Sequence, residues 1–169
     1  MQEIIVNDAN VLIDLVKLDM LEVFFRLPYS FRTLDLVVTE VSDKRQRKEL
    51  DKYISSQALT VHELSAAELQ KTVEFAECQR PQLSFTDKAV IKYALDIGGT
   101  ILTGDKNMRN DAESMGLSVR GILFVFDELI RHGIVSENRA APLLKKLYSS
   151  NPRLPRSEIE ARIERWAKE

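Results

Sequence analysis

Four acidic residues, Asp8, Glu40, Asp87 and Asp105, are placed along the chain where they could do chemistry together. Carboxylates brought together repel one another, at a cost of roughly 3 kcal/mol per pair at about 5 Å and an effective dielectric of about 20. A divalent cation reverses that repulsion. Oxygen ligands favour Mg²⁺ or Mn²⁺. Such an ion can activate a water and neutralise charge on a phosphodiester during hydrolysis.

The residue counts argue against other kinds of site. The chain has one cysteine, Cys78, so it can form no disulfide within itself, and its two histidines have no zinc-site spacing. The formal net charge is −2, yet if four of the 26 acids are withdrawn to a metal, the 24 Lys and Arg residues outnumber those that remain. The rest of the surface is then weakly positive, which permits RNA binding.

The elements that must position these acids follow from the apolar pattern. Short apolar runs predict strands at 4–6, 36–38, 59–62, 101–103 and 117–120. Helical spacing predicts helices at 10–27, 41–55, 65–79 and 84–98, a short one ending at 116, and three more at 122–132, 136–149 and 157–168. This alternation predicts a three-layer α/β fold, with a central parallel sheet of about five strands flanked by helices.

The predicted sheet brings the acids to one edge. Ligands of such sheets bind beyond the carboxyl ends of the strands, and Asp8, Glu40 and Asp105 each follow a predicted strand. Asp87 instead lies in the first turn of a predicted helix. It shares a helical face with Val90, Ile91, Ala94 and Leu95.

Each acid also has a purely structural explanation. Asp8 and Asp105 fit ordinary turns, and Glu40 could be the first charge of a solvated helix. Asp87 could be only a capping residue in Ser84-x-x-Asp87. The hypothesis of a shared site rests on all four acids falling at the same edge of the sheet.

The segments around these acids resemble PIN domains, including the VapC toxins of toxin–antitoxin pairs. The matching segments are 5–12, 37–41, 83–90 and 102–107, and the resemblance covers roughly residues 3 to 125. Residues 121–135 resemble a longer prokaryotic branch with extra C-terminal helices. The chain departs from the family at Thr86 and Lys88, where smaller residues are more usual.

The resemblance implies an endoribonuclease that uses Mg²⁺ or Mn²⁺ held by the four acids. It also implies an RNA substrate, a homodimer and inhibition by a cognate antitoxin. Two further residues become candidates: Asn107, to orient a metal-bound water, and Thr103, to hold Asp105. No apolar run approaches the ~20 residues of a membrane span, and the N-terminus lacks a basic signal region. We therefore expect a cytoplasmic protein without membrane contact.

Two other functions compete with this interpretation. Residues 104–111 resemble the metal motif of haloacid-dehalogenase-like phosphatases, but Asn10 and Leu12 stand where that family has its second aspartate and a threonine. A non-catalytic RNA-binding module is the other alternative. It would use a basic run of four residues, Lys44, Arg45, Arg47 and Lys48.

The C-terminal end is predicted as a separate section. We expect a nuclease domain at 1–150 and a helical arm at 151–169, joined by the proline-containing segment 151–155. Ser157 and Glu160 have capping-box spacing, and Ile159, Ile163 and Trp166 form an apolar stripe. That stripe must pack either on the chain's own core or on a partner. We expect the helices beyond Gly121 to carry protein contacts, not chemistry.

Overall fold

The computed structural model, which describes residues 1–168, has a five-stranded parallel sheet flanked by helices on both faces. The strands are β1 (Ile4–Asn7), β2 (Ser30–Leu34), β3 (Leu59–His62), β4 (Thr100–Leu102) and β5 (Val119–Arg120). Their order across the sheet is β3-β2-β1-β4-β5. In the central register, Ile5 lies opposite Phe31 on one side and Thr100 on the other.

The helices form the two outer layers. They are α1 (Ala9–Lys17), α2 (Leu21–Phe24), α3 (Asp35–Glu40), α4 (Lys44–Ser55), α5 (Ala66–Glu77), α6 (Phe85–Ile97), α7 (Lys106–Ser114), α8 (Ile122–Arg131), α9 (Glu137–Ser150) and α10 (Arg156–Trp166). One core cluster joins the sheet to α1, α2, α4, α8, α9 and α10, and the other joins it to α3, α6 and α7. Neighbouring β1 residues serve opposite faces, Ile5 the first cluster and Val6 the second. The three-layer α/β prediction is therefore confirmed.

The strand order places a topological switch beside the central strand. The chain runs outward from β1 to β2 and β3, then returns to form β4 on the other side of β1. In parallel sheets the crevice for ligands opens at such a switch, beyond the carboxyl ends of the two strands. Asp8 follows β1 directly, and Thr103 follows β4 directly.

The predicted second strand is wrong. Leu36, Val37 and Val38 lie in helix α3, and the strand that occupies this place in the sheet is Ser30–Leu34. The apolar run is buried because α3 packs on the core, with Val37 fully inaccessible. Glu40 therefore lies at the end of a short helix, not at the end of a strand.

The predicted long helix at 10–27 is also wrong, because it is two helices. Asp19 has a left-handed backbone (φ 55°), which breaks the helix between α1 and α2. Aspartate adopts this conformation more readily than most residues. The amide of Met20 donates to the carbonyl of Leu15 at 2.9 Å, which closes the first helix. Both helices pack on the same core, so the apolar spacing continued across the break.

Two helix-end predictions are confirmed and one is wrong. Ser65 forms a capping box with Glu68 at the start of α5. Gly98 ends α6 with a left-handed backbone (φ 67°), and a Cβ on the next residue, Gly99, would meet Val6 at 2.8 Å. Ser157 caps nothing, because α10 begins at Arg156.

The C-terminal helix α10 packs on the chain's own core. Ile159 and Trp166 are buried, and Ile163 lies partly buried against the same cluster. Arg162 ties the helix to Asp127 of α8 through two hydrogen bonds of 2.9 and 2.7 Å. The apolar stripe is thus covered within the chain and is not a free surface. None of the helices in residues 1–168 has the length and apolar content needed to cross a bilayer.

Candidate active site

Asp8 is the most constrained of the four acids. It is 4% exposed and caps α1, with its Oδ1 accepting from the Ala9 amide at 2.9 Å. Its Oδ2 accepts from the Thr103 hydroxyl at 2.7 Å and from Asn10 Nδ2 at 3.2 Å. These donors come from both sides of the switch point, so the β1 and β4 ends together fix the carboxylate.

A small hydrogen-bond network joins the two strand ends around Asp8. The Thr103 hydroxyl also accepts from the Asp105 amide at 3.1 Å, and the Gly104 amide donates to Asn10 Oδ1 at 2.9 Å. Thr103 was predicted to hold Asp105, but its hydroxyl donates to Asp8 and contacts Asp105 only through the backbone. Asn10 was not predicted as a site residue. A polar side chain in the first helical turn, two residues after Asp8, is the signal that could have found it.

A second asparagine, Asn7, fixes the end of β1 through hydrogen bonds to the neighbouring strand β2. Asn7 is fully buried, and its Nδ2 donates to the carbonyl of Arg32 at 3.1 Å. In return the Thr33 hydroxyl donates to the Asn7 carbonyl at 2.8 Å. These bonds lock β1 to β2 immediately before Asp8, which leaves that carboxylate little freedom to move.

Burial and neighbouring charge make Asp8 reluctant to ionise. Burial is the larger cause, and with the charges of Asp87 and Glu40 it raises the pKa of Asp8 to about 6. The hydrogen bonds from Thr103 and Ala9 act in the opposite direction. Because these surroundings disfavour the charged form of Asp8, a bound cation would stabilise that form strongly.

Glu40 faces the same space from the end of α3. It is exposed, yet partial burial of its carboxyl and the charge of Asp87 raise its pKa, while the Thr86 hydroxyl lowers it. Thr86, which departs from the usual family pattern, therefore lies beside this acid. Arg47 supports α3 from the other side by donating to the Val38 carbonyl at 3.2 Å.

Asp87 acts as a capping residue at the start of α6 and also faces the other acids. Its Oδ2 accepts from the Ser84 amide, and its own amide donates to the Ser84 hydroxyl, both at 3.1 Å. Its Oδ1 accepts no hydrogen bond within residues 1–168. The predicted helical face beyond Asp87 is correct for Val90, Ile91 and Ala94, but Leu95 is 37% exposed.

Asp105 caps α7 in a similar way. Its Oδ1 accepts from the Met108 amide at 2.9 Å, and in the described part of the chain its Oδ2 has no hydrogen-bond donor. The pKa of Asp8 responds to Asp87 and Glu40, whereas Asp105 is linked to Asp8 through the Thr103 hydroxyl. The carboxylates of Asp8, Glu40 and Asp87 thus interact by charge, whereas Asp105 is joined to Asp8 only through its backbone amide and the Thr103 hydroxyl.

The residues fit a hard divalent cation in donor chemistry. All four groups are carboxylates, and both Asp87 and Asp105 keep one oxygen clear of their helix caps. In the described residues, however, no three Asp, Glu, His or Cys side chains stand close enough together to form a metal site as they are. Binding would therefore require the exposed acids to move toward Asp8.

The remaining predicted residues lie outside this cluster. Asn107 is exposed on α7 and lines a separate cavity of about 130 Å³ with Arg80 and Asp111. Lys44, Arg45 and Lys48 are exposed on α4, and Arg47 pairs with Asp51 at 2.9 Å. Their contact with RNA and the role of Asn107 stay predictions.

Sequence comparison adds the family. A family model described as a PIN domain matches residues 4–168. The chain belongs to the PIN-domain family. The match extends well beyond residue 125, so the C-terminal helices of this PIN domain lie inside the matched region. It also removes the dehalogenase-like alternative. The PIN fold is generally that of metal-dependent nucleases.

Among solved structures, the PIN domain is similar to a PilT N-terminus domain protein from the hyperthermophilic archaeon Sulfolobus solfataricus P2. The two chains are 13% identical, the alignment covers 75% of this chain and 93% of the other, and the TM-score is 0.46. Among curated proteins, no sequence match reaches significance.

Proposed function

We propose that this PIN domain is an endoribonuclease that hydrolyses RNA phosphodiesters with Mg²⁺ or Mn²⁺ held by Asp8, Glu40, Asp87 and Asp105. The observation that carries the proposal is the state of Asp8. The fold buries this acid at the switch point and directs two further carboxylates at it, which raises its pKa to about 6. A purely structural aspartate gains nothing from such surroundings, whereas a metal ligand does.

One acid of the site would be held in place by the fold, and others would move toward it when the metal binds. Asp8 is held in one orientation by Thr103, Asn10 and the Ala9 amide, so it presents a preset oxygen. Glu40 and Asp87 can move toward it, because one is exposed and the other uses a single oxygen in its cap. When bound, a divalent cation supplies charge neutralisation and an activated water.

Metal dependence is the direct test. Cleavage of a labelled single-stranded RNA should be supported by Mg²⁺ or Mn²⁺ and abolished by excess EDTA. Restoring the metal should restore cleavage, which separates metal loss from unfolding. Undiminished ribonuclease activity in excess EDTA would contradict the proposal, and so would full activity after removal of the Asp8 carboxylate.

The proposal extends to a toxin role with an inhibitory antitoxin, and to a homodimer as the working form. Both follow from the family resemblance and are tested in cells and in solution. Expression of the intact chain should arrest growth, expression of the Asp8→Asn variant should not, and light scattering should give twice the monomer mass. Equal growth with both chains would contradict the toxin role, and a monomeric mass would contradict the dimer.

A further inference from the structure

A groove of about 620 Å³ opens beside the acid cluster. Its floor includes Thr103 and Gly104 at the end of β4, and the hydroxyl of Thr103 donates directly to Asp8. One wall is the start of α7 and the turn from β5 into α8. The other is the segment before α10 and the first turns of that helix. The groove therefore adjoins the candidate active site through Thr103, although none of the four acids is among its lining residues.

Of the seven charged side chains that line the groove, five are basic, and one of these, Arg109, pairs with Glu113 at 3.4 Å. Two acids also line it, Asp127 and Glu158, and two arginines pair with them: Arg162 with both, at 2.7 and 3.8 Å, and Arg165 with Asp127 at 3.9 Å. Lys106, Arg120 and Arg153 line it as well, and within residues 1–168 none of the three forms an ion pair or a side-chain hydrogen bond. For a chain of net charge −2, three uncompensated cations in one groove are a local concentration of positive charge.

The groove also contains apolar surface suited to bases. The half-buried ring of Phe124 lies there, with the Arg120 guanidinium 5.7 Å from the ring centre. Leu154 and Pro155 face it from the C-terminal segment. Aromatic rings and arginine planes stack on unpaired bases, while cations bind the phosphates between them. A duplex hides its base faces, so this combination favours a single strand.

We propose that this groove binds the single-stranded RNA that flanks the scissile phosphodiester, with Lys106, Arg120 and Arg153 on its phosphates. The inference rests on the proposed ribonuclease function and adds the form of the substrate and the residues that hold it. It also gives the C-terminal segment a part in substrate binding, since Arg153 belongs to the turn before α10 and Arg162 to the helix. The buried Ile159 and Trp166 hold that wall in place.

The basic run on α4 provides a matched comparison. Lys44, Arg45 and Lys48 are also exposed cations without ion pairs in the described chain. They lie exposed on a helix surface, and in the part of the chain that the structure describes none of the three lies over an aromatic ring. Two triple alanine variants, one in the groove and one on α4, thus remove the same charge from two surfaces that differ in shape.

The test measures binding without cleavage. Fluorescence anisotropy of a short labelled oligouridylate is recorded in EDTA across a salt series, with RNA integrity checked on a gel. The Lys106→Ala/Arg120→Ala/Arg153→Ala variant should bind roughly tenfold more weakly, and its salt slope should fall by about 2, since each single-strand phosphate contact contributes about 0.7. The Lys44→Ala/Arg45→Ala/Lys48→Ala variant should lose no more than about twofold. Thermal melts confirm that both variants are folded.

Several outcomes would overturn the groove assignment. They are equal losses in the two triple variants, duplex RNA binding as tightly as the single strand, and displacement of the RNA by an oligoglutamate peptide of the same charge. Failure of the proposed function looks different. In that case the intact chain binds RNA through the groove residues but cleaves none with Mg²⁺ or Mn²⁺. If the intact chain cleaves and the groove variant cleaves and binds equally well, only the groove assignment is wrong.

Discussion

Asp8 and Glu40 belong to one candidate site but stand in opposite surroundings. Asp8 is buried and accepts three hydrogen bonds from donors on both sides of the switch point. Glu40 is exposed at the end of a short helix, with the Thr86 hydroxyl as its neighbour. Asp87 is intermediate, being half-buried and tied by one oxygen to the start of α6. The site therefore has a fixed half and an open half.

This difference shows how a fold can hold carboxylates that repel one another near each other. The fixed half carries the electrostatic cost, because burial raises the pKa of Asp8 and leaves it no room to turn away. The open half bears less of that cost because it remains nearer to solvent, where charges interact weakly, although partial burial and Asp87 still raise the pKa of Glu40. A cation would then draw the open half toward the fixed one, and the four predictions below follow from this division.

The largest effect is expected from comparing the two halves directly. Asp8→Asn should reduce RNA cleavage by at least about 100-fold, whereas Glu40→Gln should reduce it by about tenfold, because water can replace an exposed ligand more easily than a buried one. Single-turnover cleavage rates measure both. Asp96→Asn, which changes an exposed acid paired with Lys92, is the matched control and should change nothing. A greater loss for Glu40→Gln than for Asp8→Asn would reverse the assignment of the two halves.

The fixed half should also fail when its hydrogen bonds are removed. Thr103→Val should cost about 1–3 kcal/mol, because buried Asp8 Oδ2 loses the shorter of its two hydrogen bonds and the partly buried Asp105 amide loses its acceptor. Urea unfolding measures the loss. Thr60→Val, at an exposed strand position, is the control and should be neutral. If both variants melt alike, the hydroxyl of Thr103 does not hold the site.

Asp87 in the open half is also a helix-capping residue, and comparing two capping boxes of the same kind separates its two roles. Ser84→Ala and Ser65→Ala should each cost about 1 kcal/mol of stability, because each removes the cap of one helix. Only Ser84→Ala should change RNA cleavage, since its partner Asp87 faces Asp8. Equal cleavage by the two variants after correction for stability would make Asp87 a plain cap.

The smallest effect is a pH dependence that belongs to Asp8. Its pKa is 3.8 when unfolded and about 6 when folded, so its contribution to stability is full below 3.8 and lost as the pH rises through about 6. In EDTA, lowering the pH from 7.5 to 5 should therefore add about 1 kcal/mol. Asp8→Asn should remove most of this gain, and Mg²⁺ should reduce it; the remainder belongs to Glu40 and Asp14, whose pKa values are also raised by burial.

A different carboxyl, that of Glu128, gives a pH dependence of stability in the opposite direction, and the same experiment measures it. The Arg131 hydrogen bond lowers the pKa of Glu128 to about 2, so its stabilisation is present above 4.5 and lost as the pH falls toward 2. Asp8→Asn should leave the loss of stability at low pH that belongs to Glu128 unchanged. If the variant lost both this dependence and the one assigned to Asp8, the substitution would have disturbed the whole fold.

Much of the fixed half could be predicted from the sequence because its signals are local. Ile4 to Val6 followed by Asp8, and an apolar run followed by Thr103 and Asp105, each mark a strand end over a few residues. Ser65 with Glu68 and Gly98 mark helix ends in the same way. In each case one segment's own backbone requirements determine the outcome, so its neighbours need not be known.

The position of Glu40 in the open half could not be predicted correctly, because it depends on contacts between distant segments, whereas Asp87 lies in the first turn of a helix as predicted. Leu36 to Val38 has the composition of a strand, yet β2 occupies that place in the sheet by pairing with β1 and β3, and the apolar run becomes a helix. The sequence alone thus determined which acids the chain carries and where the first and fourth strands end. Only the tertiary structure decided that Asn10 and Thr103 lock Asp8, that Glu40 stands on a helix, and that α10 borders the groove. Each of these depends on which segments meet across the sheet. That choice is decided by packing between residues far apart in the chain.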